Sequence, residues 1–200
     1  MDLQPPSRPL DPNPSGPLAE LPPGWRARVR RFDDSVDGEL DRLRGHPVAD
    51  RVFYLATELG DMALIWHMLG AARGLRSDRK ADEAFRLMAV LGAESILVNG
   101  VLKSFFRRRR PDWEQPRAYR IRRPRSSSFP SGHASSAFTA ATLLSQDDPL
   151  RPVYFGLAAV VATSRIYVKI HHASDVVAGA ATGLVLGQLA KQVWPRKKTG

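Results

Sequence analysis

From about Pro47 onward, apolar residues recur at three- and four-residue intervals along most of the chain. That periodicity predicts helices over roughly 48–74, 80–109, 131–147, 150–168 and 173–193. An acidic amphipathic piece from Asp33 to Leu43 adds a short surface helix ahead of them. Alternation of apolar and polar residues between turn pairs, the mark of strands, is almost absent. The expected fold class is all-α, a helical bundle of about five to six helices.

The ends read differently. The first 23 residues hold eight of the 16 prolines, in runs such as Pro5-Pro6 and Pro22-Pro23, and such a segment neither forms a helix nor buries much surface. The expected organisation is a disordered Pro-rich tail over 1–32, one helical domain over 33–195 and a basic C-terminal tail over 196–200. The Pro-rich start lacks the apolar core of a secretory signal. The last helix is rich in small residues (Ala178, Gly179, Ala180, Ala181, Gly183, Gly187), as expected where helices approach closely.

A spanning helix needs about 20 predominantly apolar residues. The uncharged apolar stretches are shorter: Met62 to Ala72, Pro152 to Ser164 and Val176 to Ala190. Glu58, Asp61 and Glu94 interrupt the earlier helices, which is costly toward lipid and tolerable toward a bundle interior. Composition by itself therefore favours a soluble bundle; the motifs shift that balance toward a membrane-embedded one.

Charge changes the picture next. With 30 Lys and Arg against 20 Asp and Glu, the formal charge is +10, which favours an anionic partner: nucleic acid, an acidic membrane surface or a phosphorylated substrate. The absence of cysteine excludes disulfides, thiolate catalysis and cysteine-ligated metals.

Three segments carry candidate chemistry. In Lys103-Ser-Phe-Phe-Arg-Arg-Arg-Arg110-Pro111, Lys103 and Arg110 are seven apart, which predicts one face of a helix that Pro111 ends. Two convergent cations suit a doubly charged phosphoryl group; alone, they read more readily as a basic helix end that complements the macrodipole or touches anionic lipid headgroups. In Ser127-Ser-Phe-Pro-Ser131-Gly132-His133, Ser131 is a natural N-cap and Gly132 lets backbone N–H groups approach an anion. His133 would stand beside that anion; the plainer reading is a capped helix with a surface histidine. In the third segment Arg165 precedes His171, and Asp175 follows it at the i+4 position. A carboxylate on one ring nitrogen fixes the tautomer and leaves the other nitrogen's lone pair free to attack. Singly, each segment has an ordinary structural explanation; together they supply every part that phosphoryl transfer needs.

The ordered pattern K-x6-RP, PSGH and SR-x5-H-x3-D resembles the signature of the type 2 phosphatidic acid phosphatase superfamily, which includes lipid phosphate phosphatases, bacterial acid phosphatases and vanadium haloperoxidases. The motifs run from Lys103 to Asp175 with all fixed positions present. The resemblance implies His171 as nucleophile, Asp175 as its orienting partner and His133 as general acid. It implies that Lys103, Arg110, Ser131, Gly132 and Arg165 hold the phosphoryl oxygens. It further implies a metal-independent phosphatase without cofactor, acting on a lipid phosphomonoester or diphosphate (phosphatidate, an isoprenyl phosphate or an isoprenyl diphosphate) through a phosphohistidine. A multi-pass protein of the cell membrane is expected, with a phosphorylated lipid as partner, no nucleic acid and no defined oligomeric state.

The alternatives on the same motifs are a soluble nonspecific acid phosphatase and a vanadate-dependent haloperoxidase, for which 200 residues leave little room beyond the bundle. A basic nucleic-acid-binding protein using 107–125 is the alternative of another class, and no groove-entering motif supports it. Among weaker candidates, His172 reads as a pocket wall or surface residue, His67 as core and His46 as part of a turn. Arg117, Arg120, Arg122, Arg123 and Arg125 read as a solvated loop near the site, with recruitment of an anionic substrate or headgroup as the alternative. Glu58 and Asp61 stay open between a polar contact inside the bundle and one to the substrate head.

Overall fold

The computed structural model describes residues 22–112, 119, 121 and 124–196. Helix α1 spans Pro23–Asp41, α2 Pro47–Gly60, α3 Leu64–Gly74, α4 Asp78–Phe105, α5 Gly132–Leu144, α6 Arg151–Tyr167 and α7 Ala173–Val193. Among the described residues there is no strand. Counting α2 and α3 as two halves of one broken rod gives six rods, and the expectation of an all-α bundle holds.

Several boundaries differ from the periodicity reading. Helix α1 begins at Pro23, inside the segment expected to be tail: Pro22 sits at its N-cap with extended backbone, and the proline at the first helical position has no N–H to leave unsatisfied. The rest of that segment, residues 1–21, lies outside the described residues. The single helix expected over 48–74 is interrupted by a 3-10 turn at Asp61–Ala63, where Met62 (φ 50°) and Ala63 (φ 56°) are left-handed. Apolar periodicity continues through such a break and does not reveal it. Arg196, assigned to the tail, is pinned to Glu83 at 2.9 Å and to the Gln146 carbonyl at 2.6 Å; Lys197 to Gly200 lie outside the described residues.

The largest correction concerns α4. It passes into a π turn at Ile96–Leu102 and ends at Phe105, so Lys103 and Arg110 do not share a helix face. Phe106 is extended (φ −121°, ψ 138°), and the next residues pair with the segment before α5. The Arg108 carbonyl accepts from Ser128 N–H at 3.0 Å, Arg108 N–H donates to Ser127 Oγ at 3.2 Å, and the Arg109 carbonyl accepts from Ser128 Oγ at 3.1 Å. Those partners satisfy backbone groups that a helix would otherwise have to satisfy.

Helix α5 forms the centre of the bundle, with most of its side chains from Ala134 to Leu144 buried. Its neighbour α7 approaches through Gly179, Gly183 and Gly187, one per helical turn. A Cβ at Gly179 would lie 2.3 Å from the Ser131 carbonyl oxygen, and one at Gly183 2.2 Å from that of Ser135. Thr139 Oγ1 donates to the Gly183 carbonyl at 3.0 Å across the same seam.

Helices α4 and α7 are long and apolar enough to cross a membrane. Both turn large apolar side chains outward, among them Ile96 and Phe105 on α4 and Val177 and Val185 on α7, in place of the charges expected on a water-facing surface. They run antiparallel: Arg86, early in α4, donates to the carbonyl of Ala190, late in α7, at 3.2 Å. The end of α4 and the start of α7 therefore meet at the opposite end of the bundle, and the three motifs meet there too.

Candidate active site

Four chain segments converge at that end: the tail of α4 with the strand-like 106–110, the N-terminus of α5, the last turn of α6 with its following loop, and the first turn of α7. Ser131 is fully buried; its Oγ accepts from Ala134 N–H at 3.5 Å, and its own N–H donates to the Asp175 carbonyl at 3.0 Å. The N-cap expected from the sequence is thus stitched directly to α7. A Cβ at Gly132 would lie 2.7 Å from Asn99 Oδ1, so glycine lets the Asn99 side chain on the π turn of α4 lie close against the start of α5.

The loop after α6 folds back on Arg165. Its carbonyl accepts from the N–H groups of both Ile170 and His171, each at 3.0 Å, and Lys169 takes a left-handed φ of 50° to allow the reversal. Arg44 fixes this corner from outside, donating to the carbonyls of Ile166 at 3.0 Å and Tyr167 at 2.8 Å, where a cation complements the helix C-terminus. The Arg165 side chain is buried and donates to Thr57 Oγ1.

His171 is 2% exposed. Its Nδ1 lies 3.6 Å from Asp175 Oδ2, and its Nε2 lies 3.3 Å from Arg110 Nη1. A guanidinium has no acceptor, so Nε2 presents its lone pair and the ring hydrogen of the neutral imidazole resides on Nδ1, toward Asp175. Burial pushes the His171 pKa down to about 3; Asp175 opposes that fall, while Arg165 and Arg110 add to it. Arg110 is held by three backbone carbonyls, those of Ser126 (3.3 Å), Ser127 (3.1 Å) and Ile170 (3.0 Å), which aim its planar fork at His171. Lys103 lies on the last turn of α4, within electrostatic reach of Arg110, Arg165 and Asp175.

His133 occupies the first turn of α5 with its ring against Gly60, where a Cβ would lie 2.8 Å from the ring carbon Cδ2. Its Nε2 is 2.9 Å from Asp61 Oδ1, a polar contact within the bundle. Burial first, and then the Arg165 charge, push its pKa down to about 4, against the pull of Asp61. Glu58 is exposed.

All eight residues expected from the sequence thus lie on the segments that meet here. The sequence reading missed Asp33, Thr57, Asp61 as a partner of His133, and Arg108. Asp33 and Arg108 sit behind Asp175, whose Oδ1 accepts from Arg108 Nη1 at 2.5 Å. Only the crowding of four arginines hinted at a division of labour among them. His172 is the N-cap of α7, its backbone N–H donating to Asp175 Oδ2 at 2.9 Å. His67 is half-buried and His46 exposed, as N-cap of α2. Arg125 is exposed; Arg117, Arg120, Arg122 and Arg123 lie outside the described residues. Arg108 and Arg110 turn inward, whereas Arg107 and Arg109 are exposed.

Residues 83–199 match the family model of the PAP2 superfamily. The chain belongs to the PAP2 superfamily. It is 30% identical over 154 residues to the decaprenylphosphoryl-5-phosphoribose phosphatase of Mycobacterium tuberculosis, covering 73% of this chain and 84% of that one. It is 33% identical over 178 residues to phosphatidylglycerophosphatase B of Bacillus subtilis, covering 82% and 83%. In fold it is similar to the crystal structure of the transmembrane PAP2-type phosphatidylglycerolphosphate phosphatase of Bacillus subtilis, with a TM-score of 0.66, 24% identity and 90% of each chain covered. The structure of LpxE from Aquifex aeolicus matches with a TM-score of 0.62 and 26% identity over 83% of this chain and 93% of that one. As a PAP2 protein with lipid phosphatases as relatives, the chain is a phosphoric ester hydrolase and a membrane protein.

Proposed function

We propose that this PAP2 enzyme removes phosphate from a phosphorylated lipid, a phosphomonoester or diphosphate, through a covalent phosphohistidine at His171, without a metal. The observation that carries the reading is the pairing at His171. A neutral imidazole with its hydrogen toward Asp175 turns its Nε2 lone pair to the arginine that would hold the phosphoryl group.

In the first step Nε2 of His171 attacks phosphorus. The bond from phosphorus to the lipid oxygen breaks, and His133 gives that oxygen its proton. Water then attacks the phosphohistidine while His133 takes a proton from it; the P–N bond breaks, and inorganic phosphate leaves with both histidines restored. Phosphoryl transfer asks mainly for positioning and charge stabilisation. Lys103, Arg110 and Arg165 supply positive charge, and Ser131 and Gly132 open the N-terminus of α5 to the phosphoryl oxygens. A well-aimed donor of this kind contributes about 3–4 kcal/mol to the transition state. Among the described residues no three His, Asp or Glu side chains gather as a metal site, and the three cations can neutralise the phosphoryl charge instead.

Helices α4 and α7 each cross the bilayer in this reading, which makes the protein multi-pass and keeps the site at one membrane face, where the lipid headgroup lies. The names of the relatives support a lipid substrate: one acts on a decaprenylphosphoryl-5-phosphoribose, another on a phosphatidylglycerophosphate. The test is phosphate release in EDTA from those two lipids, phosphatidate and isoprenyl phosphates, with wild type beside His171→Ala. Release by the wild type alone supports the reading; equal release by the variant, or release from no lipid, removes it.

A further inference from the structure

Asp33 is a carboxylate in the middle of α1, yet it is 5% exposed while Asp34 and Ser35 beside it face solvent. Its Oδ1 accepts from the backbone N–H of Ser174 at 2.7 Å. Its Oδ2 accepts from Ser174 Oγ at 2.9 Å and from Arg108 Nη2 at 2.7 Å. The other terminal nitrogen of Arg108 donates to Asp175 Oδ1 at 2.5 Å and to Ser174 Oγ at 2.8 Å. One buried guanidinium therefore bridges two buried carboxylates, with side-chain exposures of 8% for Arg108, 6% for Asp33 and 0% for Asp175.

Charges are costly to bury unless paired in good geometry, and here the geometry fixes both carboxylates. With Oδ1 of Asp175 tied to Arg108, and the His172 N–H on Oδ2, the carboxylate cannot rotate. Its Oδ2 then stays turned toward Nδ1 of His171. We propose that Asp33 and Arg108 are positioning residues for His171: Arg108 orients Asp175, and Asp33 orients Arg108. Both terminal nitrogens of Arg108 are engaged by carboxylates, so the pair acts through Asp175 and not on a phosphoryl oxygen. Helix α1 is thereby part of the active site, although none of its residues belongs to the three motifs. The inference rests on the assignment of His171 and Asp175 made above.

The competing account is that Asp33 merely anchors α1 to the bundle. Asp33→Asn separates the two, because the amide oxygen still accepts from Ser174 N–H while the carboxylate that pairs with Arg108 is lost. Full-length protein is assayed as wild type, His171→Ala, Asp33→Asn, Arg108→Gln, Arg108→Lys and the double variant Asp33→Asn with Arg108→Gln. Loss of an outer-shell partner of this kind typically lowers activity about 10–100-fold. That loss is expected in kcat, with KM and the inhibition constant for inorganic phosphate unchanged. Arg108→Lys is expected to recover part of the kcat lost in Arg108→Gln. The double variant should be no slower than Arg108→Gln alone, because residues acting in one chain are not additive. It also leaves no unpaired carboxylate at position 33, so it tests the proposal even if a single variant fails to fold.

An unchanged kcat in the folded variants, a loss confined to KM, or additive losses in the double variant would overturn the proposal. An inactive His171→Ala beside a fully active Asp33→Asn refutes this inference alone; an active His171→Ala refutes the site assignment beneath it.

Discussion

The guanidinium of Arg110 and the imidazole of His171 face each other at 3.3 Å, Nη1 to Nε2, with Arg110 further held by the carbonyls of Ser126, Ser127 and Ile170. The contact assigns the tautomer of His171. It also sets the order of events when a phosphoryl group arrives, since Nη1–H must pass from Nε2 to a phosphoryl oxygen before Nε2 can attack. In the proposed mechanism Arg110 thus both readies the nucleophile and receives the substrate.

Arg110→Lys is therefore not a conservative change. An ammonium cannot reproduce a planar fork that spans three carbonyls and a ring nitrogen. Loss of one such transition-state donor lowers kcat by about 10²–10³-fold. Steady-state kinetics on a lipid phosphate in detergent micelles checks it.

Asp61 supports the proton of His133, and its removal has a signed effect on pH dependence. Asp61 raises the His133 pKa, which burial and Arg165 hold down at about 4. In the proposed mechanism His133 works as an acid only when protonated, so activity is expected to fall as pH rises through its pKa. His171 works only when neutral, which holds above about 3. In Asp61→Asn the alkaline limb of the kcat/KM profile is expected to move to lower pH, with the acidic limb in place. A kcat/KM profile over pH, wild type beside variant, measures both limbs.

Gly179→Ala places a methyl group 2.3 Å from the Ser131 carbonyl oxygen, against backbone that cannot swing aside. Overpacking of this kind costs about 1–3 kcal/mol. The displaced element is the N-terminus of α5, so the variant is expected to lose both thermal stability and affinity for inorganic phosphate. Gly156→Ala, on α6 where an added Cβ meets nothing within 4 Å, serves as the control for helix propensity alone. Thermal unfolding and phosphate inhibition constants report the two effects.

The eight motif residues could be read from the chain because their chemistry is carried by residue type and spacing, and the folded protein brings their segments together. The path of the backbone between them was less legible. Lys103 and Arg110 looked like one helix face because spacing reports local periodicity, whereas the end of α4 at Phe105 is decided by pairing of 106–109 with Ser127 and Ser128. The partners of the catalytic groups were hidden for a related reason. Asp33 meets Arg108 across a separation of 75 residues, and no local pattern distinguishes it from its solvent-facing neighbour Asp34. Nor does the run Arg107 to Arg110 show which two side chains turn inward; that depends on the extended backbone, along which successive side chains point to opposite sides. Asp61 reaches His133 because of the left-handed turn at Met62 and Ala63, which two ordinary helix-forming residues do not advertise.

The central claim is a covalent phosphohistidine at His171, and trapping it is the most direct measurement. With p-nitrophenyl phosphate the leaving group departs without help from an acid, so His133→Ala should still complete the first step while lacking the base for the second. Acid-labile, base-stable phosphate is expected to accumulate on His171 in His133→Ala, to appear transiently in wild type and to be absent from the double variant His133→Ala with His171→Ala. Label that persists in the double variant, or turnover by wild type with no label on His171, would contradict the account.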